Sequence, residues 1–330
     1  MPTKARPPTQ LKSIPVNRID TTDNTYRITT RSDVDDLLVS IRSDGVLNPP
    51  VVIEKAAGFI IVSGFRRITA CRKLGLKEIA VRVFGPGHSP LESLRFAIAD
   101  NTFQRPMDLI EASRSLHKLS VQLARGKDLI EASSSLGLPS NPSAIEKIKD
   151  LCLLPDRIQR ALMADAISLS MAMELKKLTS DCAVAFTRLF EELKLSLNKQ
   201  REIMTLVKEI ARRDDISEQT VLADRHLQDI VGNQDLDRGH KARQLRVYLR
   251  QRRFPRIVKA ETRFEHQRHQ LNLGHHIKLI PPKDFEGTSY TVGLSFSSIA
   301  QLKELHTKLG QIIKHPGLKK ILERKEPSSQ

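Results

Sequence analysis

The run Ile61-Val62-Ser63-Gly64-Phe65-Arg66-Arg67-Ile68-Thr69-Ala70-Cys71-Arg72-Lys73-Leu74-Gly75 constrains this chain more than any other stretch. A short β-branched segment meets the small pair Ser63-Gly64, and apolar residues then recur at helical spacing, so strand gives way to helix at the glycine. Arg66 and Arg67 fall in the first turn of that helix, where the dipole and the unpaired N–H groups already present positive potential. An anion reverses the penalty. Gly64 lets a ligand approach the backbone, and either arginine can grip a phosphate in bidentate fashion. A glycine turn with two solvated arginines accounts for the same residues equally well, so this stretch alone leaves both readings open.

Charge bears on the partner. At 330 residues the chain suggests two or three domains, and a formal net charge of +16 favours a polyanion. No apolar run is long enough to span a bilayer, which puts nucleic acid before a membrane surface. With aromatics at 4% and charged residues at 28%, the composition is that of a helix-rich chain with much solvated surface. Residues 1–12 are basic and Pro-rich, lack the apolar segment of a secretory signal, and read as a disordered tail. Cys71, Cys152 and Cys182 lie far apart in apolar helical patterns with no Cys-x-x-Cys spacing, so buried free thiols are expected and a metal site is not.

Taken in order, Ile14 to Ile19 reads as a strand. Ser32 then caps a helix carrying Val34, Leu37, Leu38 and Ile41, which Gly45 closes. Strands follow around Val51 to Ile53, Ile60 to Val62 and Ile79 to Phe84, and a helix runs from Ser89 or Pro90 to Asp100-Asn101. These elements make a small mixed α/β domain. Asp108 to Leu116 is nearly repeated at Asp128 to Leu136, each copy reading as a capping box that opens a helix. The second copy leads through Gly137 and Pro139 to Asn141, an N-cap for a helix from Ser143 to Leu154 with Pro142 at its first position. Helix, glycine-bearing turn and capped helix form the helix-turn-helix order, in which exposed Ser143, Lys147 and Lys149 could meet phosphates or base edges. An ordinary bundle turn would look the same. Arg238 to Arg263, including Arg246, Arg250 and Arg253, reads as a basic helix interrupted at Pro255, an auxiliary phosphate contact. Alternation at Ile277 and Leu279 and at Val292, Leu294 and Phe296 gives a hairpin. A Ser298–Gln301 capping box then opens a helix carrying Ile299, Leu302, Leu305, Leu309 and Ile312. One copy of so small a module buries too little surface, so dimerisation is expected.

Four segments together resemble the ParB family of DNA-partition proteins. They are Gly64-Phe65-Arg66-Arg67-Ile68-Thr69-Ala70 with Leu74-Gly75; the Ser-Ile, Gly, Pro, Val-Val-Ile order through Asn48-Pro49; Asp100-Asn101 with Gln104-Arg105; and Leu153 to Gln159 with Ala166 to Ala172. The resemblance implies that Asn48, Ser63, Gly64, Phe65, Arg66, Arg67 and Arg105 bind the nucleotide CTP. It likewise implies that Asp100 and Asn101 hold Mg²⁺ and that Arg157 joins Ser143, Lys147 and Lys149 on DNA. Phe65 stands where the family has glutamate, Thr69 where it has arginine, Asn48 where it has glutamine, and Met171-Ala172-Met173 where it commonly has His-Ala-Arg. The expected fold is α+β multidomain: a basic tail over residues 1–12, a ParB-like nucleotide-binding domain over 13–105, and an all-α helix-turn-helix domain over 106–236. A basic helical linker over 237–264 and a C-terminal hairpin/helix dimerisation domain over 265–330 complete it. The expected function is a homodimeric, CTP-dependent DNA clamp in chromosome or plasmid partition, with slow CTP hydrolysis. Double-stranded DNA and a ParA-like ATPase are the expected partners. It would reside in the cytoplasm on nucleoid or plasmid, not on a membrane. The alternative is a nucleotide-independent transcription regulator; a nuclease ranks last, because no two-metal cluster of acidic residues appears.

Overall fold

A computed structural model describes residues 9–85, 87–123 and 126–323. The chain divides into two compact units, residues 1–191 and 192–330, a coarser division than the five segments expected from sequence.

The first unit opens with β1 (Thr9–Pro15), a 3₁₀ turn at Val16–Arg18 and β2 (Ile19–Asp20), followed by α1 (Asp35–Asp44), β3 (Val51–Lys55), β4 (Gly58–Ser63), α2 (Phe65–Lys73), β5 (Glu78–Phe84) and α3 (Pro90–Thr102). The strands form one mixed sheet in the order β1-β5-β3-β4-β2. β1 pairs antiparallel to β5, β5 parallel to β3, β3 antiparallel to β4, and β4 parallel to β2. Because β1 begins at Thr9, residues 9–12 pair in the sheet and are not part of a disordered tail; residues 1–8 of that expected tail lie outside the described residues. Strand pairing supplies partners for backbone groups that a free tail would leave to water.

β4 is buried along nearly its whole length, as suits an inner strand covered on both faces. Val52, Ile61, Val81, Ile68 and Cys71 are all 0–1% exposed and form the centre of the core, with Val34 and Ile41 joining from α1 and its N-terminal flank. The N-cap of α1 is Val34, without a side-chain cap. The expected cap at Ser32 is therefore corrected, Asp33 Oδ1 instead accepting the Asp35 N–H at 3.1 Å. Ser89 and Glu92 cap α3 reciprocally, and the helix continues through Thr102, past its expected end at Asn101.

The helical remainder of this unit comprises α4 (Leu109–Gln122), α5 (Gly126–Ser135), α6 (Pro142–Ile148), α7 (Asp156–Met163), α8 (Leu169–Leu175) and α9 (Ser180–Glu192). The Asp108–Glu111 capping box is present. Its sequence copy is not a cap, because α5 starts at Gly126 and places Asp128 inside the first turn. Asn141 caps α6 as expected, but the helix ends at Ile148, and a separate 3₁₀ turn spans Leu151–Leu153. Cys71 and Cys182 are buried, whereas Cys152, expected to be buried, is half-buried.

The second unit holds α10 (Leu197–Asp214), α11 (Glu218–Leu222), α12 (Arg225–Gly232), α13 (Arg238–Arg253), α14 (Pro255–Gln270), β6 (Ile277–Ile280), β7 (Thr291–Leu294), α15 (Ile299–Lys314) and α16 (Pro316–Leu322). The break at Phe254-Pro255 is where the sequence placed it. α13 is a packed helix and not a linker: Ala242, Leu245 and Leu249 recur at helical spacing and are 0–3% exposed. β6 and β7 pair antiparallel, and Ile277 and Leu279 share a core with Phe264, Leu305 and Ile312. Ser298 caps α15 by accepting the Gln301 N–H, while the Gln301 side chain reaches back to Ser297 and not to Ser298.

Candidate functional site

The β4–α2 junction is built on Gly64, whose backbone sits at φ 97°, ψ 26°, a left-handed conformation that glycine adopts without Cβ strain. A Cβ there would also lie 2.6 Å from Cβ of Pro50. Strand and helix therefore meet closely, and the N-terminus of α2 carries no side-chain cap.

That terminus opens into a cavity of about 260 Å³. Its wall includes Asn48, Ser63, Gly64, Phe65, Arg66, Arg67, Asp100, Asn101 and Arg105, which are all the residues expected to bind nucleotide or metal, drawn from three separate stretches of sequence. Ile28, Thr29, Arg31, Leu37 and Gln104 complete it. Of these, Thr29 and Arg31 were not singled out from sequence; the polar run Thr29-Thr30-Arg31 ahead of α1 was the available signal.

The polar groups of the cavity hold one another. Arg67 Nη1 donates to the Asn48 carbonyl, and its Nη2 lies 3.7 Å from Asp100 Oδ2. Burial lowers the pKa of the Arg67 guanidinium, with Asp100 opposing and Arg82 adding to that shift. Ser63 Oγ donates to Asp100 Oδ2, and Gln104 Nε2 donates to Asp100 Oδ1 at 2.8 Å. Arg66 pairs with Asp36 at 2.7 Å and donates from Nε to the Asp33 carbonyl. Arg105 is joined to Glu111 at 2.8 and 2.5 Å, and this bond raises its pKa. Phe65 is 8% exposed and belongs to the core, with the Arg27 guanidinium carbon 5.6 Å from its ring centroid. It forms an apolar wall where the family resemblance implies a glutamate.

Among the described residues, Asp100 is the only carboxylate lining the cavity, and Asn101 Nδ2 donates to the Ala97 carbonyl one turn back. Among the described residues, no group of three or more His, Cys, Asp or Glu side chains is placed to hold a metal. Mg²⁺ takes one or two carboxylates and fills its shell with phosphate oxygens and water. Asp100 and Asn101 fit a Mg²⁺ held chiefly by a phosphate ligand, not a cage made of protein alone.

The expected DNA residues are not gathered in this way. Ser143 and Lys147 are exposed on α6. Lys149 pairs with Glu146 at 2.7 Å, and Arg157 pairs with Glu191 at 2.7 Å. In the second unit Arg246, Arg250 and Arg253 pair with Glu202, Glu261 and Glu209 at 2.7, 2.6 and 2.8 Å. A carboxylate neighbour neutralises the charge that a phosphate contact would use.

An uncapped helix N-terminus and converging arginines on a mixed sheet, followed by a helical array, define a mixed α/β domain with a largely helical remainder. Residues 3–102 match the family described as ParB N-terminal domain. A nucleoid occlusion protein of Geobacillus kaustophilus is 30% identical over 163 residues, 48% of this chain and 55% of its own length. A probable chromosome 1-partitioning protein ParB of Deinococcus radiodurans is 31% identical over 137 residues, 42% of this chain and 45% of its own length. The chain thus spans about half the length of these relatives. Among solved structures, the C-terminally truncated chromosome-partitioning protein ParB from Caulobacter crescentus complexed with CTP-gamma-S is 25% identical, covers 55% of this chain and 98% of its own, and has a TM-score of 0.26. Among the described residues, no helix is long and apolar enough to cross a membrane.

Proposed function

We propose that this protein is a ParB-like DNA-binding protein whose N-terminal cavity takes a nucleoside triphosphate, CTP by family resemblance, and that it works in chromosome or plasmid partition as a nucleotide-dependent DNA clamp. One observation carries this reading: every residue assigned to nucleotide or metal from sequence lines a single cavity at the N-terminus of α2. Backbone N–H groups of that terminus and the Arg66 and Arg67 guanidinium groups would hold phosphates. Asp100 and Asn101 would share Mg²⁺ with them, the ion supplying neutralisation of phosphate charge. The α5–turn–α6 segment, with Asn141 capping α6 and Ser143 and Lys147 exposed, would act as the helix-turn-helix. The second unit would dimerise the chain. Double-stranded DNA, and a ParA-like ATPase in the manner of the family, are the proposed partners, with the protein on nucleoid or plasmid.

A second reading, a DNA-binding regulator that no longer uses nucleotide, is favoured by the buried Phe65 and by the protein partners that Arg66, Arg67 and Arg105 already have. A nucleotide titration with Mg²⁺ and duplex DNA separates the two. The clamp reading expects CTP binding that Arg66→Ala weakens by about 10- to 100-fold, the worth of one charge-assisted contact. Absence of any nucleoside triphosphate binding at millimolar concentration leaves only the regulator.

A further inference from the structure

A second cleft in the first unit, about 420 Å³ and away from the α2 terminus, is lined by Arg27, Arg114, His117 and Lys118, with Cys152 and Leu153 at its border. Among the described residues, no carboxylate lines it. Lys118 Nζ donates to the Asn24 and Thr25 carbonyls at 2.9 and 2.8 Å, and Arg114 Nη1 to the Thr29 carbonyl at 2.9 Å. Arg27 is held by Asn24 Oδ1 at 3.4 Å and by the Phe65 ring. These are neutral partners, so three cations line one cleft without an ion pair among the described residues. The nearby acids are engaged: Asp150 with Lys176 at 2.8 Å, and Asp23 Oδ1 with the Thr25 N–H at 2.7 Å. His117 Nδ1 is buried without a hydrogen bond, 3.6 Å from Asp150 Oδ1.

We propose that this cleft seats a phosphate group. Burial, and then the charge of Arg114, lower the pKa of Arg27. Burial is likewise the largest cause lowering that of Lys118, with Cys152 and Asp23 opposing and Arg114 adding. An anion removes both penalties. Two guanidinium forks and an ammonium suit a tetrahedral dianion or a phosphodiester, since each fork keeps N–H donors beyond those given to carbonyls. Two sources carry that chemistry. One is a free phosphate ester. The other is the backbone of a duplex lying along α6, because the 3₁₀ turn after α6 brings Leu153, 63% exposed, to the rim; this source rests on the DNA-binding reading above.

Cys152 is the reporter, since Cys71 and Cys182 are buried. The full chain is alkylated with N-ethylmaleimide, a neutral reagent, in inorganic phosphate or in chloride of equal ionic strength, and separately with a random-sequence duplex at low salt. Protection of Cys152 by phosphate alone assigns a free ester; protection only by duplex assigns the DNA backbone. In either case Arg27→Gln and Lys118→Gln should raise the half-protecting concentration by about tenfold or more, the worth of a charge-assisted contact. Arg27→Lys, which keeps the charge, should stay closer to wild type, and circular dichroism melts confirm folding. If Lys118→Gln fails to fold, Arg27→Gln decides alone, because the Arg27 side chain, among the described bonds, donates only to the Asn24 side chain and to no backbone carbonyl. The proposal is overturned if neither anion protects Cys152, or if Arg27→Gln is protected as well as wild type. Neither outcome depends on whether the first cavity binds nucleotide.

Discussion

Arg105 donates both ends of its guanidinium fork to Glu111, at 2.8 and 2.5 Å, and that carboxylate is 0% exposed. Glu111 also accepts the N–H groups of Thr30 and Asp108, both at 3.1 Å. A single carboxylate thus ties the segment after α3, the segment before α1 and the start of α4, all at the edge of the cavity at the α2 terminus. The arginine that the family resemblance assigns to phosphate is here committed to a buried acid.

Breaking that pair by Glu111→Gln should cost about 3–5 kcal/mol, the usual consequence of removing one partner of a buried ion pair. Burial alone would raise the Glu111 pKa, but bonds from Arg105, Thr30 and Asp108 outweigh it and the net shift is downward. A carboxylate with a depressed folded pKa contributes stability that is fully present above its unfolded value of about 4.3. That contribution is lost as pH falls through the folded value. Urea melts between pH 3 and pH 7 should therefore show wild type losing stability towards the acid end and Glu111→Gln losing less; parallel curves would remove the carboxylate from this role.

Gly64→Ala should destabilise by about 2–4 kcal/mol, combining a left-handed non-glycine residue with overpacking against the rigid Pro50 ring. Thermal unfolding measures it, and an unchanged melting temperature would show that the β4–α2 junction can relax. Because Gly64 also leads the helix terminus proposed to hold phosphate, anion binding should weaken in parallel.

The Arg66–Asp36 pair is partly exposed, with side chains 25% and 62% accessible. Asp36→Asn should therefore cost no more than about 1 kcal/mol of stability. It should also release Arg66 towards the cavity and tighten phosphate-ligand binding several-fold. Isothermal titration with CTP or pyrophosphate tests this, and equal affinity in both proteins would mean that the pair does not compete with the ligand.

The N-terminal domain was legible because its signals are local: Gly64 between a β-branched run and a helical pattern, Gly45 at a helix end, Ser89 before Pro90 and Glu92. The cavity was legible only through family resemblance, since Asn48, Gly64 and the stretch from Asp100 to Arg105 are well separated in sequence and no periodicity brings them together. The partners of the cations were not legible. Arg246 meets Glu202 across 44 positions, and a count of positive residues along α13 cannot reveal a carboxylate on α10. The same limit hid the cleft at Arg27, whose cationic neighbours Arg114 and Lys118 lie on a helix about 90 positions away.

That pairing changes the expectation for the basic helices. Arg246, Arg250 and Arg253, replaced by Gln, should each lower the stability of the second unit by up to about 1 kcal/mol and leave DNA affinity nearly unchanged. Arg243, Arg256, Lys259 and Arg263 are exposed, and any of them that meets a phosphate should lower the salt slope by about 0.9 when neutralised. Binding to a random duplex across a salt series tells the two sets apart. A larger loss from the paired set would restore the phosphate role first read from sequence.

The second unit ends with apolar side chains that its own fold leaves uncovered. Phe296 is 53% exposed, Ile299 74% and Ile313 64%, while Leu305 and Ile312 of the same helix are 6% and 7% exposed. One face of α15 is spent on the small core with β6 and α14, and the outer residues can be buried only by another molecule. A second copy is the proposed cover. Phe296→Glu with Ile299→Glu alters residues that the monomer does not bury, so the fold should survive with its circular dichroism melt nearly unchanged, while the charges oppose burial between copies. Light scattering should report a dimer for wild type and a monomer for the double variant at micromolar concentration. A dimeric variant that melts like wild type would place the interface elsewhere, and a monomeric wild type would leave this face without a partner copy.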